Sequence, residues 1–352
     1  MNDDLTNGSV SWESPSNIAI VKYWGKHGFQ YPNNASISLT LSNAVTRTTI
    51  NYRPKKEDGE VSIDFSFEGT NNAAFQVKIE KYLALLAKQY LPFITGFHLE
   101  IDSRNTFPHS SGIASSASSM SALALGLCDI EAMIAGIPYN TQQFLAKAST
   151  LARIGSGSAS RSVYPHAAMW GKHPDIAGSS DEFAIGVEER LHPVFKSFHD
   201  DILIISADKK SVSSTAGHAL MEDNPYSDSR YRQANDRTRQ LYDILSGGDV
   251  DAFGKLAEDE ALTLHALMMC SDPSYILMEE GSLSAIKAVR SFRAETKLPL
   301  YFTLDAGPNI HLLYPDEIKD SVAGFVDNEL RSLCSDGTIL KDHVGNGPKK
   351  TG

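Results

Sequence analysis

The feature that most restricts the fold of this chain is a small-residue segment that leads directly into a periodic apolar stretch. The segment is Phe107-Pro-His-Ser-Ser-Gly-Ile-Ala-Ser-Ser-Ala-Ser-Ser119. Apolar residues then recur at three- and four-residue spacings, at Met120, Leu123, Leu127, Ile130 and Ile134. This periodicity predicts a helix with one face buried in a core. Backbone amides at the start of such a helix bind phosphate, although the segment is equally typical of a flexible serine-rich cap, because it lacks a Gly-Lys-Ser/Thr or GxGxxG pattern.

Around this helix, short β-like runs alternate with turns in the first half of the chain, and helices dominate the second half. Apolar spacing predicts helices over 73–90, 120–137, 141–153, 226–245, 250–269, 282–296 and 317–333. Strands are predicted over 17–24, 35–42, 46–52, 61–67, 97–101, 162–170, 183–188, 201–207, 298–304 and 310–314. A length of 352 residues suits two domains. We place the boundary near 193–199, which gives domains 1–195 and 196–352.

Composition limits the class of protein and its partners. The formal net charge of −11 argues against nucleic acid as a partner, because proteins that bind phosphate backbones concentrate Lys and Arg. The cysteines Cys128, Cys270 and Cys334 are far apart and have no metal-ligand spacing, which indicates thiols in a reducing compartment. The first residues lack the apolar run of a signal peptide, and Asp129 and Glu131 interrupt the most apolar helix. We therefore expect a cytoplasmic protein without a membrane span.

A lysine and an aspartate each lie in apolar, strand-like sequence. Lys22 is part of Asn17-Ile-Ala-Ile-Val-Lys-Tyr-Trp-Gly-Lys26, and Asp305 is part of Thr303-Leu-Asp-Ala-Gly-Pro-Asn309. A buried ammonium needs an anionic partner, and a carboxylate at the end of a strand is a candidate general base. Taken alone, each residue is more typical of a structural role, the lysine reaching solvent and the aspartate capping a turn. We predict that the two side chains pair, and this pairing favours a catalytic role.

A further segment combines serines with an arginine. Ala152-Arg-Ile-Gly-Ser-Gly-Ser-Ala-Ser-Arg-Ser162 contains two Gly-Ser steps and ends beside Arg161. Serine hydroxyls and a planar guanidinium are groups that bind phosphate or carboxylate. A helix-to-strand turn with a surface arginine explains the same residues.

Taken in this order, the four segments resemble the mevalonate diphosphate decarboxylases of the GHMP kinase superfamily. The resemblance extends from Trp12 to about Gly347 and includes Pro32-Asn-Asn-Ala-Ser-Ile-Ser38, Val212-Ser-Ser-Thr215 and Glu260-Ala-Leu-Thr-Leu-His265. It implies a mixed α/β (α+β) class, with a two-domain GHMP kinase-like fold and the active site in the interdomain cleft. The N-terminal domain of that fold binds ATP. Relatives commonly form homodimers, so the resemblance also implies a homodimer.

The resemblance implies roles for individual residues. Asp305 matches the catalytic aspartate, Lys22 the lysine beside it, and Arg161 the arginine that holds the substrate carboxylate. Ser214 matches a serine near the transferred phosphate. Contacts with the substrate diphosphate are implied for Tyr23, Lys26, Ser156 and Ser158. The ATP phosphate loop is implied to contain Gly112, Ser115, Ser116 and Ser118.

Near these residues the chain departs from the commoner family pattern. His27 and Gly28 stand where many relatives have Arg-Asp, and Ser160 replaces a frequent cysteine. Thr215 takes the place of an arginine that some bacterial relatives have. These departures leave the residues of the reaction intact and alter the surroundings of the diphosphate contacts.

The implied reaction is the ATP-dependent decarboxylation of mevalonate 5-diphosphate to isopentenyl diphosphate, with ADP, phosphate and CO2 as the other products. Asp305 would deprotonate the C3 hydroxyl, and Lys22 would keep that carboxylate ionised. ATP and Mg²⁺ are the expected cofactors, and the metal would be carried mainly by the nucleotide phosphates, since the sequence shows no protein metal site. The alternatives are decarboxylation of mevalonate 5-phosphate, phosphorylation alone as a small-molecule kinase, and a catalytically silent nucleotide-binding regulator.

Overall fold

The computed structural model describes residues 7–56, 59–108, 113–137, 141–208 and 212–352. Its strands are β1 (Gly8–Ala19), β2 (Lys26–His27), β3 (Tyr31–Pro32), β4 (Ser36–Pro54), β5 (Ser62–Phe67), β6 (Thr70–Asn71), β7 (Phe97–Asn105), β8 (Ala167–Trp170), β9 (Ile185–Gly186), β10 (His199–Leu203), β11 (Tyr301–Thr303), β12 (Ile310–Tyr314), β13 (Ile339–Leu340) and β14 (Lys349–Lys350). Its α-helices are α1 (Ala73–Gln89), α2 (Ser115–Ala135), α3 (Thr141–Gly155), α4 (Pro193–Lys196), α5 (Ser214–Ala219), α6 (Ser227–Gly247), α7 (Val250–Met269), α8 (Glu280–Thr296) and α9 (Lys319–Phe325).

The first half of the chain is built on a sheet in the order β14-β1-β4-β7-β5-β6, with β8 beside β4 and β9 beside β8. Neighbouring strands are antiparallel except for β5 and β7, which are parallel. Helix α2 packs on β1 and β4, α3 packs on α2, and α1 packs on β5. The long β4 therefore organises this half, because it pairs with β1, β7 and β8 and also carries the central helix.

Helix α2 is the central element of the first core, as its apolar periodicity predicts. Leu123, Leu127 and Ile130 are buried, and the helix ends at Gly136, whose φ of +62° suits a residue without a side chain. By length and composition α2 is apolar enough to cross a membrane, but 61% of its most apolar stretch is buried inside the protein. Packing in the core accounts for that composition.

The second half of the chain contains a smaller antiparallel sheet in the order β11-β12-β10-β13. Helices α7 and α8 pack on β11, and α6 packs on α7. The apolar residues of this core come from the strands and from α8 and α9, and include Leu203, Val289, Phe302, Ile310, Leu312 and Val322. Two α/β domains result, as the sequence predicts.

The two halves are connected at more than one place. The chain passes from the first sheet to the second between β9 and β10, and α6 also contacts β4. Beyond β13, the Asp342 carboxylate accepts hydrogen bonds from the backbone N–H groups of Ser42, Asn43 and Ala44 at 2.8, 2.9 and 2.7 Å. The chain then joins the first sheet as β14, beside β1. The two halves are thus joined at several places along the chain.

The strand predicted over 17–24 is wrong in its second half, and this affects the site. β1 ends at Ala19, although the N–H of Ile20 still donates to the carbonyl of Ile37 on β4 at 2.9 Å. The register of the two strands places Ser36, the first residue of β4, opposite Val21, so β4 has no residue opposite Lys22. Lys22 consequently lies after the strand and after a bend at Ile20 and Val21, rather than within the strand. Its backbone must find hydrogen-bond partners other than a neighbouring strand.

Other predicted elements also differ from the structure, and the strand predicted over 162–170 forms only over Ala167–Trp170. The strands predicted over 35–42 and 46–52 are parts of the single strand β4, whose register against β1 shifts between Pro15 and Asn17. The helix predicted over 317–333 divides into α9, a widened turn over Val326–Leu330 and a tight turn over Arg331–Leu333. The widened turn keeps its two apolar end residues buried.

Candidate active site

A cavity of about 770 Å³ lies between the two halves of the chain. The segment after β1, the start of α2 and the turn after α3 line it from the first half. Helix α5 and the turn after β11 line it from the second half. Most residues that the sequence singles out line this one cavity: Lys22, Tyr23, Lys26, Ser115, Ser116, Ser156, Ser158, Arg161, Ser214 and Asp305.

The predicted ion pair between Lys22 and Asp305 is present where the two halves meet. Nζ of Lys22 lies 2.9 Å from Oδ1 of Asp305. The lysine side chain is 2% exposed and the aspartate side chain is 27% exposed. The aspartate compensates the buried charge of the lysine. Its exposed part remains accessible to a molecule in the cavity.

Arg161 is a buried guanidinium whose hydrogen-bond partners are neutral. Nε and Nη1 donate to the hydroxyls of Ser38 and Ser36 at 3.0 and 2.6 Å, and Oδ1 of Asn17 accepts from Nη2 at 3.3 Å. Burial lowers the pKa of Arg161 to about 10, although the nearby charge of Asp305 acts in the opposite direction. Within the described part of the chain no carboxylate forms a salt bridge with this guanidinium. A bound anion would compensate its charge.

The start of α2 forms the wall of the cavity beside the turn after α3. Ser115 and Ser116 line the cavity, and Oγ of Ser116 lies 3.2 Å from Oγ of Ser156. This contact connects the helix start to the turn that carries Arg161. First-turn N–H groups and the helix dipole favour a negative charge at this position. The wall therefore suits a phosphate group.

One residue predicted for the ATP phosphate loop, Ser118, is not part of this wall. The Ser118 side chain is buried and does not line the cavity, because its Oγ lies 2.6 Å from Oγ1 of Thr46 on β4. Its contact with the core explains why a serine is present there. Gly112 lies outside the residues that the structure describes.

Tyr23 and Lys26 line the cavity from the segment after β1. The Tyr23 hydroxyl is buried and has no hydrogen-bond partner among the described residues, and burial raises the pKa of Tyr23 well above its usual value. Nζ of Lys26 donates to Oε1 of Gln30 at 2.7 Å, and burial lowers the pKa of this lysine. Ser158 faces the same region from the turn after α3. Together these residues offer a cation and hydroxyl donors to an anionic ligand.

Ser214 lines the opposite wall as the first residue of α5. The preceding Ser213 caps the helix, with its Oγ accepting from the N–H of Ala216 at 3.2 Å. At Gly217 a Cβ atom would lie 2.5 Å from the Trp24 ring, so α5 is packed closely against the segment after β1. The lack of a side chain at that position keeps Ser214 opposite Lys22 and its neighbours.

Two polar residues that shape this site are not predicted from the sequence. Asn17 holds Arg161 through Oδ1 and donates from Nδ2 to the carbonyl of Ser158 at 3.1 Å. His218 lines the cavity, and its Nδ1 accepts from the N–H of Gly25 at 2.9 Å. Burial lowers the pKa of His218 to about 3, so the ring is neutral near pH 7. Asn17 begins the segment that contains Lys22, and this position could have indicated a role in the site. Nothing in the local sequence distinguishes His218.

One end of the cavity is apolar with cations at its edge. The lining there comes from β5, β7 and α1 and includes Phe65, Phe67, Phe75, Ile79, Leu85 and Ile101. Lys78 and Lys81 line the same region. Apolar surface edged by cations suits a flat aromatic group that carries phosphates. The sequence pattern alone does not distinguish these residues from ordinary core residues.

Carboxylates that could bind a metal are sparse in the cavity. Of the described residues that line it, Asp305 is the one with a carboxylate. Asp64, His98 and Glu100 bring ligand atoms within 4.8 Å of one another, but they lie on β5 and β7 and do not line the cavity. A Mg²⁺ ion in the cavity would therefore take most of its oxygen ligands from phosphates and water.

Both halves of the chain match known family models. Residues 14–184 match the diphosphomevalonate decarboxylase-like N-terminal domain, and residues 201–348 match the mevalonate 5-diphosphate decarboxylase C-terminal domain. The diphosphomevalonate decarboxylase of Ganoderma lucidum is 30% identical over 329 residues, which cover 88% of this chain and 79% of that protein.

Solved structures agree over nearly the whole chain. The mevalonate diphosphate decarboxylase from Enterococcus faecalis, solved in a study of its mevalonate diphosphate mediated ATP binding, is 26% identical with a TM-score of 0.79, and the match covers 98% of this chain and 99% of that one. A structure of MDDEF in complex with MVAPP, AMPPCP and magnesium is also 26% identical, with a TM-score of 0.81 and the same coverage. The predicted fold and family are confirmed, and this chain belongs to the diphosphomevalonate decarboxylase family.

Proposed function

We propose that this protein catalyses the ATP-dependent decarboxylation of mevalonate 5-diphosphate to isopentenyl diphosphate, in the mevalonate pathway. Relatives across the chain carry this activity in their names. The observation that carries the proposal is one arrangement in the cavity. Asp305 is paired with the buried Lys22, and Arg161 is buried in the same cavity with neutral partners. A hydroxy acid fits these groups, because its hydroxyl meets a base and its carboxylate meets a cation.

The substrate would be recognised by cavity groups whose partners among the described residues are neutral, together with the Tyr23 hydroxyl, which has none among them. Arg161 would bind the carboxylate of the substrate, since a planar guanidinium matches a carboxylate through parallel hydrogen bonds. The diphosphate would be bound by the cation and the hydroxyl donors at the other side of the cavity, which are Tyr23, Lys26, Ser156 and Ser158. Holding both ends of the substrate orients the C3 hydroxyl between them, toward Asp305.

Phosphoryl transfer is the first step. Asp305 accepts the proton of the C3 hydroxyl as its oxygen forms a bond to the γ-phosphorus of ATP, and the bond from that phosphorus to the β–γ bridging oxygen breaks to release ADP. Lys22 holds the carboxylate in position and compensates its charge. Ser214 lies on the opposite wall, where its hydroxyl would contact the transferred phosphate.

Loss of phosphate and CO2 is the second step. The C3–oxygen bond breaks with its electron pair leaving on phosphate, and positive character develops at C3. The bond between the carboxylate carbon and its neighbour then breaks, and that electron pair forms the carbon–carbon double bond of the product. Arg161 orients the carboxylate until it departs as CO2. Asp305 returns the proton that it accepted to the released phosphate, so the net result is one molecule each of isopentenyl diphosphate, CO2, hydrogen phosphate and ADP, with the enzyme unchanged.

ATP would occupy the remaining part of the cavity. The start of α2, with Ser115 and Ser116, suits the phosphates, and the apolar end between β5, β7 and α1 suits the base. Mg²⁺ bound to the nucleotide phosphates supplies charge neutralisation for the transfer. If a carboxylate of the described cavity residues contacts that ion, it would be that of Asp305.

We further propose that the protein is a homodimer and works in the cytoplasm. The family resemblance supports the homodimer. The widely separated cysteines, which suit a reducing compartment, support the cytoplasm. Light scattering coupled to size-exclusion chromatography measures the oligomeric state. A mass equal to one chain at micromolar concentration would contradict the dimer.

The test of the reaction is incubation of the purified protein with ATP and Mg²⁺ and with mevalonate, mevalonate 5-phosphate or mevalonate 5-diphosphate in turn. We expect CO2 and ADP in equal amounts with the diphosphate. ADP without CO2 would identify a kinase that stops after phosphorylation. Nucleotide binding without any ADP formation would identify a regulatory protein.

A further inference from the structure

We infer that helix α7 sets the relative position of Lys22 and Asp305 through two positioning residues, Glu260 and His265. The inference rests on the proposed function, because it concerns how the ion pair of that reaction is held. Neither positioning residue lines the cavity, and each acts on the backbone of one member of the pair.

The backbone of Lys22 is fixed by side chains. Since β1 ends before this residue, its peptide groups have no strand partner. Its N–H donates to Oε2 of Glu260 at 2.8 Å. Its carbonyl accepts from Nη2 of Arg230 at 3.2 Å and from Nδ2 of Asn34 at 3.1 Å. Two of these three partners belong to the second half of the chain, so the second half determines where Lys22 lies.

Glu260 is held in one orientation by two arginines of α6. Arg230 donates from Nη1 to Oε1 at 2.7 Å and from Nη2 to Oε2 at 2.6 Å, and Arg237 donates from Nη1 to Oε1 at 2.8 Å. The Glu260 side chain is fully buried. Its pKa is below the usual value, because the hydrogen bonds and charges of the arginines outweigh the effect of burial. Glu260 is therefore a fixed, charged acceptor for the N–H of Lys22.

His265 holds the other member of the pair from the same helix. Its Nε2 lies 3.1 Å from the carbonyl oxygen of Asp305. A carbonyl only accepts, so Nε2 carries the proton in this contact. An α-helix has a fixed rise of about 1.5 Å per residue, which makes the spacing between Glu260 and His265 rigid. One rigid element thus holds the N–H of Lys22 and the carbonyl of Asp305.

The same helix provides a matched control. Glu258 is also a buried carboxylate on α7, and Nη1 of Arg293 donates to its Oε1 at 2.7 Å. Its hydrogen bonds and ion pairs among the described residues are with Arg290 and Arg293, and it does not line the cavity. Glu258→Gln weakens a buried arginine–carboxylate pair as Glu260→Gln does, but at a site remote from the ion pair.

The experiment compares Glu260→Gln with Glu258→Gln in turnover, in binding of nucleotide and mevalonate 5-diphosphate, and in unfolding midpoint. Misplacement of reacting groups by about 1 Å costs as much as about 10²-fold, so we expect kcat of Glu260→Gln to fall by at least about tenfold. Both dissociation constants should stay within about threefold, because the binding groups are not displaced. Glu258→Gln should keep a kcat close to wild type even if its midpoint falls as far.

If Glu260→Gln does not fold, variants of His265 provide the test. We expect His265→Leu to lower kcat and His265→Gln, which retains a donor, to restore most of it. Equal kcat values for Glu260→Gln and Glu258→Gln, or wild-type kcat in His265→Leu, would overturn the inference. A wild-type protein that releases no CO2 from mevalonate 5-diphosphate overturns the proposed function, which is a separate result.

Discussion

The region around Lys22 and the region around Arg161 both contain a buried cation, yet of the two only Lys22 forms a salt bridge with a carboxylate of the described residues. Asp305 lies 2.9 Å from the ammonium, and the backbone groups of Lys22 are also bonded. Arg161 has hydroxyl and amide partners among the described residues, and the nearby Tyr23 hydroxyl has none. The chemical pair is therefore assembled before substrate arrives, whereas the recognition groups are completed by the substrate.

This difference separates two tasks that many sites combine. A base that is already held in position requires little reorganisation free energy during the reaction. Recognition groups without partners contribute most when the correct ligand arrives, and they penalise a ligand that leaves them unpaired. Substitutions in the two regions should accordingly affect different kinetic constants.

The largest effect should come from leaving the recognition region incomplete. Mevalonate 5-phosphate lacks one phosphate, so some of the donors Tyr23, Lys26, Ser156 and Ser158 have no phosphate oxygen to bind when it occupies the site. Sites of this kind reject the shorter analogue by as much as about 10⁴-fold. The measurement is kcat/KM for both compounds under identical Mg-ATP conditions. Equal values would place the protein among the phosphomevalonate decarboxylases while leaving the chemistry unchanged.

Breaking the preassembled pair should be next in size. Asp305→Asn preserves the shape of the side chain but cannot accept the hydroxyl proton. Loss of a general base typically lowers the rate by 10²- to 10⁴-fold, so we expect kcat to fall by about 10³-fold. Nucleotide binding, measured by a fluorescent analogue, should be retained. Near-normal kcat in the folded variant would contradict the role of Asp305.

A smaller loss is expected when the recognition cation keeps its charge but loses its shape. In Arg161→Lys the ammonium cannot reproduce the planar pair of hydrogen bonds to a carboxylate. Turnover should fall by about 10²-fold, comparable to loss of a well-oriented contact. The dissociation constant for ATP should be almost unchanged. If ATP binding collapses instead, Arg161 belongs to the nucleotide site.

The smallest effect concerns stability and comes from the neutral ring at the edge of the recognition region. His218 has a pKa of about 3 in the folded protein, below its usual value of 6.5, because burial and then Lys26 disfavour the cation. The unfolded chain binds the proton first as pH falls below 6.5, so stability declines toward acid. At pH 5 the protonation of His218 in the unfolded chain lowers the free energy of unfolding by about 2 kcal/mol.

His218→Asn tests this statement, because asparagine can accept from the N–H of Gly25 but does not titrate. Urea unfolding at pH 7.5 and at pH 5 gives the change in unfolding free energy for each protein. We expect wild type to lose about 2 kcal/mol more than the variant between these pH values. An identical loss in both proteins would show that His218 does not titrate on unfolding in this range.

Elements that depend on local sequence are predicted well. Helices α2 and α7 follow from apolar residues at helical spacing, and α7 has the predicted bounds of 250–269. The position of Lys22 beyond the ladder is not predicted, because it depends on where β4 begins, and that information lies elsewhere in the chain. The same reason hides β14, which pairs with residues more than three hundred positions away.

In the candidate site, too, some features follow from the local sequence and others depend on distant residues. The pairing of Lys22 with Asp305 follows from charges placed in apolar sequence, and the structure confirms the contact. Helical geometry explains the displaced Ser118, since Ser115 and Ser119 share a face of α2 that lines the cavity and Ser118 is turned toward Thr46. Glu260 and His265 act on backbone groups, and a sequence does not indicate which backbone groups need a partner.

The pairing of β14 with β1 bears on the order in which the protein forms during synthesis. Trp12 and Glu13 pair with Lys350 and Lys349, and Lys349 also reaches Oε1 of Glu13 at 3.0 Å. A ribosome must translate the whole second domain before this edge of the first sheet gains its neighbour. Until then the edge of β1 is open to other strands, which favours chaperone binding or association between nascent chains. The first sheet can therefore start to form early in synthesis, but it is completed only after the second domain has been translated.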